Sequence, residues 1–165
     1  MPITTNTNQS LDARDRQILA LVQRDAKLPQ AEVAKRVGLS AAAVNERLRK
    51  LESAGFLRRY VGVVDPRAVG ATVAAFVEVF IEHPRFERGF IEAVLALDQV
   101  QECHHITGEF SLLLKIRVRD MEALQDLLIH RLNALEGVRQ TRTIIVLSTS
   151  KEESFVPTGV EGGAP

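Results

Sequence analysis

Apolar residues in the first third of the chain recur with helical spacing in two short blocks. The first block predicts a helix over residues 12–24, for which Ser10 or Asp12 can serve as the N-cap. The second predicts a helix over residues 30–37 that ends at Gly38, because glycine adopts a positive φ angle at low cost. The apolar positions of these helices are Leu11, Ile18, Leu19, Leu21, Val22, Val33, Ala34 and Val37. They predict two small helices that share one core.

A third helix is predicted from its N-cap, Ser40, to about Ala54. Val44, Leu48 and Leu51 form one narrow apolar stripe that is expected to face inward. The opposite side is polar or small, with Arg47 at its margin, and consists of Ala42, Asn45, Glu46, Arg49, Lys50 and Ser53. A short helix, a glycine turn and a second, capped helix with a polar outer face predict a helix-turn-helix.

The third helix is expected to lie in the major groove of DNA, with its N-terminal half nearest the base edges. Asn45 can bond adenine through its amide, whereas Ala42 and Ala43 can only contact thymine methyl groups. The basic side chains are predicted to contact phosphates, and they are Arg47, Arg49, Lys50, Arg58 and Arg59. Ser40 and Glu46 complete the candidate DNA-binding set. The alternative is that these charges are merely solvated on a domain that binds protein.

The second half of the chain alternates between strand and helix patterns. Strands are predicted over residues 72–82, 100–106, 111–118 and 138–148. Helices are predicted over residues 85–97 and from the N-cap Asp120 to Gly137. The order βαββαβ predicts a ferredoxin-like domain, in which a four-stranded antiparallel sheet carries two helices on one face. The expected fold class is therefore α+β, with an N-terminal helix-turn-helix and a C-terminal ferredoxin-like domain.

The segments between and beside these domains carry weaker patterns. Residues 56–64 predict a short strand or small wing, which would make the first domain a winged helix-turn-helix. The predicted division is a disordered tail over 1–9, a DNA-binding domain over 10–64, a hinge over 65–70, a second domain over 71–150 and a tail over 151–165. The Gly- and Pro-rich end of that tail, residues 157–165, is expected to be disordered.

The first predicted strand has two apolar faces. Val73, Ala75, Val77, Val79 and Ile81 point one way, and Ala74, Phe76 and Phe80 point the other way. Two helices can cover only one side of the sheet, so the other side predicts a homodimer formed sheet on sheet. Coverage by the first domain or by the C-terminal tail is the alternative.

The zero net charge of the chain conceals an asymmetry between its halves. Residues 1–64 carry 11 Lys and Arg against 6 Asp and Glu, whereas residues 65–165 carry 10 against 15. The positive half is expected to meet a polyanion and the negative half is not. A single cysteine, Cys103, excludes an intrachain disulfide, and with no signal-peptide or membrane-spanning pattern it predicts a cytoplasmic protein.

With both halves considered together, the chain resembles the Lrp/AsnC (leucine-responsive, feast/famine) family of transcriptional regulators. The matching stretches are LDARDRQIL at 11–19, VAKRVGLS at 33–40, ERLRKLE at 46–52, GFL at 55–57, VQECH at 100–104, TGEF at 107–110 and TRT at 141–143. They run in the family's order over about residues 11–150. The resemblance implies a second domain of the RAM type, and dimers that assemble further, often into octameric rings of four dimers that wrap or bend DNA.

The resemblance also implies an amino-acid effector bound between dimers, beside the turn that joins the second and third strands. Carried over, the effector-binding residues are Thr107, Gly108, Glu109, Phe110 and Ser111. The family commonly has aspartates where this chain has Glu109 and Ser111. The identity and the existence of an effector therefore stay open, with a plain hairpin turn as the alternative.

Two other functions and a metal site are the alternatives to this interpretation. Subunits of sirohaem decarboxylase resemble the same two-domain architecture, so a tetrapyrrole-processing enzyme is one alternative. An architectural DNA-binding protein without a ligand is another. Cys103 and His105 share one face of a strand and His104 points away, so at most two metal ligands converge there, too few for zinc. Neither a cofactor, a metal nor catalysis is expected.

Overall fold

A computed structural model of the protein describes residues 10–159, so the disorder predicted for residues 1–9 lies outside the described residues. The described chain divides into a first unit, residues 10–63 with 152–159, and a second unit, residues 64–151. The first unit contains α1 (Ala13–Arg24), α2 (Gln30–Val37) and α3 (Ala41–Ser53). The second unit contains β1 (Val73–Ile81), α4 (Glu87–Leu95), β2 (Val100–His105), β3 (Leu112–Val118), α5 (Met121–Asp126) and β4 (Val138–Ile145).

Local chemistry explains the start of α1. Asp12, not Ser10, is the N-cap, because its carboxylate accepts a hydrogen bond from the Asp15 N–H at 2.8 Å. The Asp15 carboxylate accepts in turn from the Asp12 N–H at 3.2 Å, so the pair forms a capping box. The inward faces predicted for all three helices are confirmed, since among residues 10–159 they supply the buried core of the unit: Ile18, Leu19, Val22, Val33, Ala34, Val37, Val44, Leu48 and Leu51.

Residues 56–64 were predicted to form a short strand or a small wing, and the strand form is wrong, since no described residue between 54 and 72 belongs to a strand. The Leu57 N–H donates to the Leu51 carbonyl at 3.1 Å, and Phe56 and Leu57 pack against the helical core. The residues that follow are exposed and have no neighbouring strand with which to pair. The segment predicted to be a hinge contains a turn, closed by the Ala71 N–H on the Pro66 carbonyl at 2.8 Å.

The second unit has the predicted ferredoxin-like topology. Its antiparallel strands lie in the order β2-β3-β1-β4, so β1 and β3 are central. One face of the sheet packs against α4, α5 and the following turn, and its core consists of Ala75, Val77, Val79, Ile81, Phe90, Val94, Leu112, Leu114, Ile116, Val118, Leu124, Leu127 and Leu132. The predicted alternation along β1 is therefore confirmed.

The last two elements are shorter than predicted. The regular helix α5 ends at Asp126 and continues as a π-helix, Leu127–Leu132, in which the Asn133 N–H donates to the Leu128 carbonyl at 2.9 Å. This wider turn places Leu127 and Leu132, five residues apart, in the same core. Strand β4 ends at Ile145, three residues early, because it pairs with β1, which starts at Val73 and offers few further partners.

The other face of the sheet carries no helix of the second unit. Its centre is apolar, with Phe76 and Phe80 of β1 half-buried and Ile144 of β4 47% exposed. Ion pairs flank this centre, one between Arg142 and Glu78 and one between Lys115 and Glu102 at 3.0 Å. Because residues 155–158 of the tail contact α1, they belong to the first unit.

The prediction that the tail is disordered from residue 157 onward is wrong for its described part. Thr158 is half-buried and hydrogen-bonded to Arg16 of α1 in both directions. Backbone hydrogen-bonding groups in an extended segment need partners, and α1 supplies them here. Residues 160–165 lie outside the described residues.

Candidate nucleic-acid interface and effector turn

The joint between α2 and α3 sets the position of the candidate DNA-reading helix. Gly38 has φ +66°, which is a left-handed conformation, and the Leu39 N–H donates back to the Ala34 carbonyl at 2.9 Å. Two residues later, the Ser40 hydroxyl accepts from the Ala43 N–H at 3.1 Å and starts α3. The small buried side chain of Ala34 lies where the two helices meet. Ser40 therefore acts as a helix cap in this structure.

The outward face of α3 matches the face predicted from the sequence. Ala42, Glu46, Arg49 and Lys50 are exposed, and Ala43 and Asn45 are half-buried. Lys50 forms an ion pair with Glu46 at 2.7 Å, one helical turn away, with both side chains 67% exposed. That contact holds the pKa of Glu46 below its usual range, chiefly through the hydrogen bond from Lys50. Such a pair contributes little to stability and leaves Lys50 close to the surface.

Three arginines present their charge outward from the end of this unit. Arg49 in α3 and Arg58 and Arg59 beyond it are exposed, and no carboxylate pairs with them within residues 10–159. Exposed guanidinium groups of this kind suit bidentate contact with phosphate oxygens. Of the basic residues predicted to contact phosphates, Arg49, Lys50, Arg58 and Arg59 are exposed, whereas Arg47 is partly buried.

Arg47 is engaged inside the unit. Its guanidinium donates to the Asp12 carboxylate at 2.6 Å and to the Asp15 carboxylate at 2.7 Å, and its side chain is 31% exposed. The two hydrogen bonds raise the pKa of Arg47. The bond from the Asp15 N–H first, and the bond from Arg47 second, hold the pKa of Asp12 below its usual range. Arg47 thus ties α3 to the N-terminus of α1.

Asn45 has a partner that the sequence analysis missed. The Gln30 amide at the start of α2 donates to the Asn45 side-chain oxygen at 3.3 Å. This bond links the candidate reading side chain to the start of α2. The contact joins residues 15 positions apart, so only the packing of α2 against α3 reveals it. Asp12 and Asp15 were missed as partners of Arg47 for the same reason.

The candidate effector residues form the turn between β2 and β3. Gly108 has φ +118°, which a residue with a side chain rarely adopts, and Thr107, Gly108 and Glu109 are exposed. The turn is closed by the Ile106 N–H on the Ser111 carbonyl at 3.0 Å. Phe110 points inward instead, only 6% exposed.

The neighbours of the turn come from the two strands beside it. The Ser111 N–H donates to the Val79 carbonyl at 3.0 Å, which fastens the end of the turn to β1. The Arg142 guanidinium of β4 lies over the Phe110 ring, 5.0 Å from its centre. Phe110 therefore anchors the turn, and Thr107, Gly108, Glu109 and Ser111 supply its accessible polar groups.

The histidines beside Cys103 have local partners. The His104 ring is 3.0 Å from a Glu102 carboxylate oxygen, and His105 contacts Glu87 of α4. Burial raises the pKa of the Cys103 thiol, with a smaller effect from Glu87. Within residues 10–159, no three histidine, cysteine or acidic side chains converge to hold a metal ion. In the same described range, every helix is too short or too polar to cross a bilayer.

A helix-turn-helix with a polar, cationic outer helix, joined to a ferredoxin-like domain, defines a DNA-binding transcriptional regulator with a second, ligand-binding module. Family models agree with both halves. Residues 11–58 match a winged helix-turn-helix DNA-binding domain, and residues 74–156 match the Lrp/AsnC ligand-binding domain. The chain belongs to the Lrp/AsnC family, and the resemblance seen in its sequence motifs is thereby confirmed.

Named relatives and solved structures support this assignment. The leucine-responsive regulatory proteins of Escherichia coli (strain K12) and Klebsiella pneumoniae are 39% identical over 148 residues, 88% of this chain and 90% of each relative. A transcriptional regulator of Neisseria meningitidis in complex with L-methionine is 30% identical, with a TM-score of 0.87, over 91% of this chain and 98% of that one. AsnC of E. coli is 27% identical, with a TM-score of 0.82, over 89% and 99%. These relatives are regulators, which decides against the enzyme alternative.

Proposed function

We propose that the protein regulates transcription by placing α3 in the major groove of duplex DNA, and that an amino acid bound at the turn 107–111 modulates this binding. The observation that carries the proposal is the outer surface of the first unit. There, α3 presents a polar face and Arg49, Arg58 and Arg59 point outward without carboxylate partners among residues 10–159. DNA-binding family membership supports this use of the surface. A DNA-bound protein of this kind acts in the cytoplasm.

The DNA-contacting side chains divide into three roles. Asn45 reads a base edge, and Ala42 and Ala43 meet thymine methyl groups or the groove floor. Arg49, Lys50, Arg58 and Arg59 contact phosphates, with Ser40 and Glu46 at the edge of the contact area. Arg47 is proposed to position α3 in addition to its predicted phosphate contact, because its Nη1 donates to Asp12 and Asp15 and its other guanidinium nitrogens can still donate.

Two substitutions separate base reading from phosphate contact. Asn45→Ala is expected to cost roughly 1–3 kcal/mol on the preferred site and little on scrambled DNA. Arg49→Ala is expected to weaken all sequences alike and to lower the slope of log K against log salt by about one. Fluorescence anisotropy over a salt series measures both effects. Arg88→Ala, on an exposed arginine of α4, is the matched control for a lost charge.

Either variant can contradict its role. An unchanged ratio between cognate and scrambled DNA would remove Asn45 from base reading. An unchanged salt slope would remove Arg49 from the phosphate contacts. If the unsubstituted protein does not bind DNA at low salt, either with or without amino acids, the proposed function is wrong as a whole.

The polar groups of the exposed turn are the reason that the effector is proposed to be an amino acid. Thr107, Gly108, Glu109 and Ser111 offer hydroxyl, carboxylate and backbone groups, which suit a zwitterion's ammonium and carboxylate. A relative of known structure binds L-methionine, and others are named for their response to leucine. Glu109 in place of the shorter aspartate common in the family predicts that the preferred side chain differs from that of the relatives.

Thermal unfolding in the presence of each amino acid tests the effector. A ligand at 100 times its Kd stabilises the folded state by roughly 2.7 kcal/mol and raises the midpoint. Gly108→Asp and the milder Glu109→Ala are expected to abolish that rise. A normal rise in both variants would place the pocket elsewhere. The absence of a rise with any amino acid would favour a ligand-independent architectural protein.

The helix-free face of the sheet is proposed to form a homodimer, with octamers as the family pattern. Leu113 lies on this face beside Glu78, to which it pairs across the strands. Leu113→Asp is expected to shift sedimentation from dimer to monomer, because it places a charge in an apolar contact. A dimer of unchanged affinity would assign the interface to another surface.

A further inference from the structure

One face of α1 carries three polar side chains that all contact the C-terminal segment, residues 155–158. Arg16, Gln23 and Arg24 lie seven and eight positions apart, which is two turns of helix, so they project from the same side. They are not part of the α3 surface or of the effector turn. The contacts made by this side of α1 are the basis of an inference beyond the proposed function.

Gln23 makes the most specific contact of the three. Its amide nitrogen donates to the Val156 carbonyl at 3.2 Å, and its amide oxygen accepts from the Val156 N–H at 2.9 Å. The side chain therefore satisfies both hydrogen-bonding groups of one residue in an extended backbone. A neighbouring β-strand makes the same pair of bonds. Such a pair recognises a peptide backbone and needs no particular side chain at position 156.

The contacts on either side of Gln23 show in which direction segment 155–158 runs along α1. Arg24 stacks over the Phe155 ring, 5.3 Å from its centre. Two turns toward the N-terminus, Arg16 donates to the Thr158 carbonyl at 2.8 Å, and the Thr158 hydroxyl donates to the Arg16 carbonyl at 3.1 Å. The segment thus runs antiparallel to α1, with its aromatic end at the C-terminus of the helix.

We propose that this face of α1 is a docking surface for an extended peptide, and that its occupant is the chain's own segment 155–158. The chain leaves the first unit after residue 63 and rejoins it at residue 152. Both ends of the second unit, residues 64 and 151, are therefore joined along the chain to parts of the first unit. Segment 155–158 also contacts α1, and Asp12 and Asp15 at the start of α1 form ion pairs with Arg47 of α3.

Release of the segment can be measured on the full-length protein by cleavage after Phe155 with chymotrypsin. The signal is the peptide 156–165, followed by mass spectrometry. Gln23→Ala is expected to increase its rate of release about three- to ten-fold, because opening becomes more frequent when two hydrogen bonds are lost. Arg24→Ala and Arg16→Ala are expected to give smaller increases. Gln17→Ala is the same change on the same helix, at an amide that accepts from Arg14 and makes no bond to residues 155–158, and it is expected to match the unsubstituted protein.

The other outcomes decide against the proposal. Equal release from the Gln23 and Gln17 variants would show that α1 does not hold the segment. Protection that disappears on dilution, in step with dissociation of a dimer, would show that the segment of a second copy occupies the surface. Because DNA binding is not the readout, these results are independent of the proposed function.

Discussion

The two units of this protein hold their structures together in different ways. The sheet unit buries thirteen apolar side chains in one continuous core, whereas the helix-turn-helix unit buries nine. A small core leaves little surplus over the conformational entropy of folding. In the helical unit, further contacts outside the core join separate elements: the capping box of α1, the Arg47 pairs between α1 and α3, and the segment 155–158 on α1. Because the core of the helical unit is the smaller one, the loss of a single contact is expected to remove a larger share of its stability than of the stability of the sheet unit.

The largest of the effects compared between the two units is expected from a glycine in the sheet unit. Gly137 has φ +84°, and a Cβ there would overlap the Phe86 side chain. Gly137→Ala is therefore expected to cost about 3 kcal/mol, from backbone strain and overpacking together. Denaturant unfolding measures the loss. Gly89→Ala in α4, where the added Cβ meets open space, is the control and is expected to stabilise by about 0.5–1 kcal/mol.

The corresponding glycine of the DNA-binding unit is expected to have a smaller effect. Gly38 has φ +66°, but an added Cβ would meet only the flexible end of Arg14 at 3.6 Å. Gly38→Ala is expected to cost about 1–2 kcal/mol, from the backbone alone. In a unit of this size, that corresponds to a fall of roughly 4–16 °C in its unfolding midpoint. A loss as large as that of Gly137→Ala would contradict the steric distinction between the two turns.

The smallest of these effects concerns acid sensitivity. The folded-state pKa of Asp12 lies below its ordinary value of 3.8, so its contribution to stability is present above that value and is lost as the pH falls through the folded pKa. Asp12→Asn keeps a good N-cap but removes the negative charge that pairs with Arg47. Its unfolding midpoint is expected to lie on the order of one or two degrees below that of the unsubstituted protein at pH 7, because the pair is exposed.

The pH dependence of that difference is the decisive measurement. It is expected to shrink toward zero as the pH falls below the ordinary Asp12 pKa of 3.8 and then through its lower folded-state pKa, where Asp12 itself becomes protonated. A difference that stays constant over this range would show that the amide changes the cap and not the ion pair. Asp120→Asn supplies the comparison in the sheet unit, where Asp120 caps α5 and pairs with its neighbour in sequence, Arg119.

Prediction from the sequence was accurate where periodicity or local chemistry sets the structure. The inward faces of the helices, the caps at Ser40 and Asp120, the Gly38 turn and the order of helices and strands along the chain all follow from patterns within a few residues. It was inaccurate where an element needs a distant partner. Residues 56–64 have strand-like composition, but no strand pairs with them. Strand β4 ends at Ile145, which pairs with Ala75, close to the first residue of β1. The π-helix after Asp126 follows from fitting Leu127 and Leu132 into one core.

The candidate site shows the same division. The residue types and spacing on α3 determined which side faces outward, and motifs along the chain determined the family. Only the packed helices decided that Arg47 bonds Asp12 and Asp15, that Gln30 orients Asn45, and that residues 155–158 bind α1. These contacts join positions 15 to 142 residues apart. Periodicity reports the surroundings of a residue along its own helix or strand, whereas such partners become neighbours only when separate elements pack together.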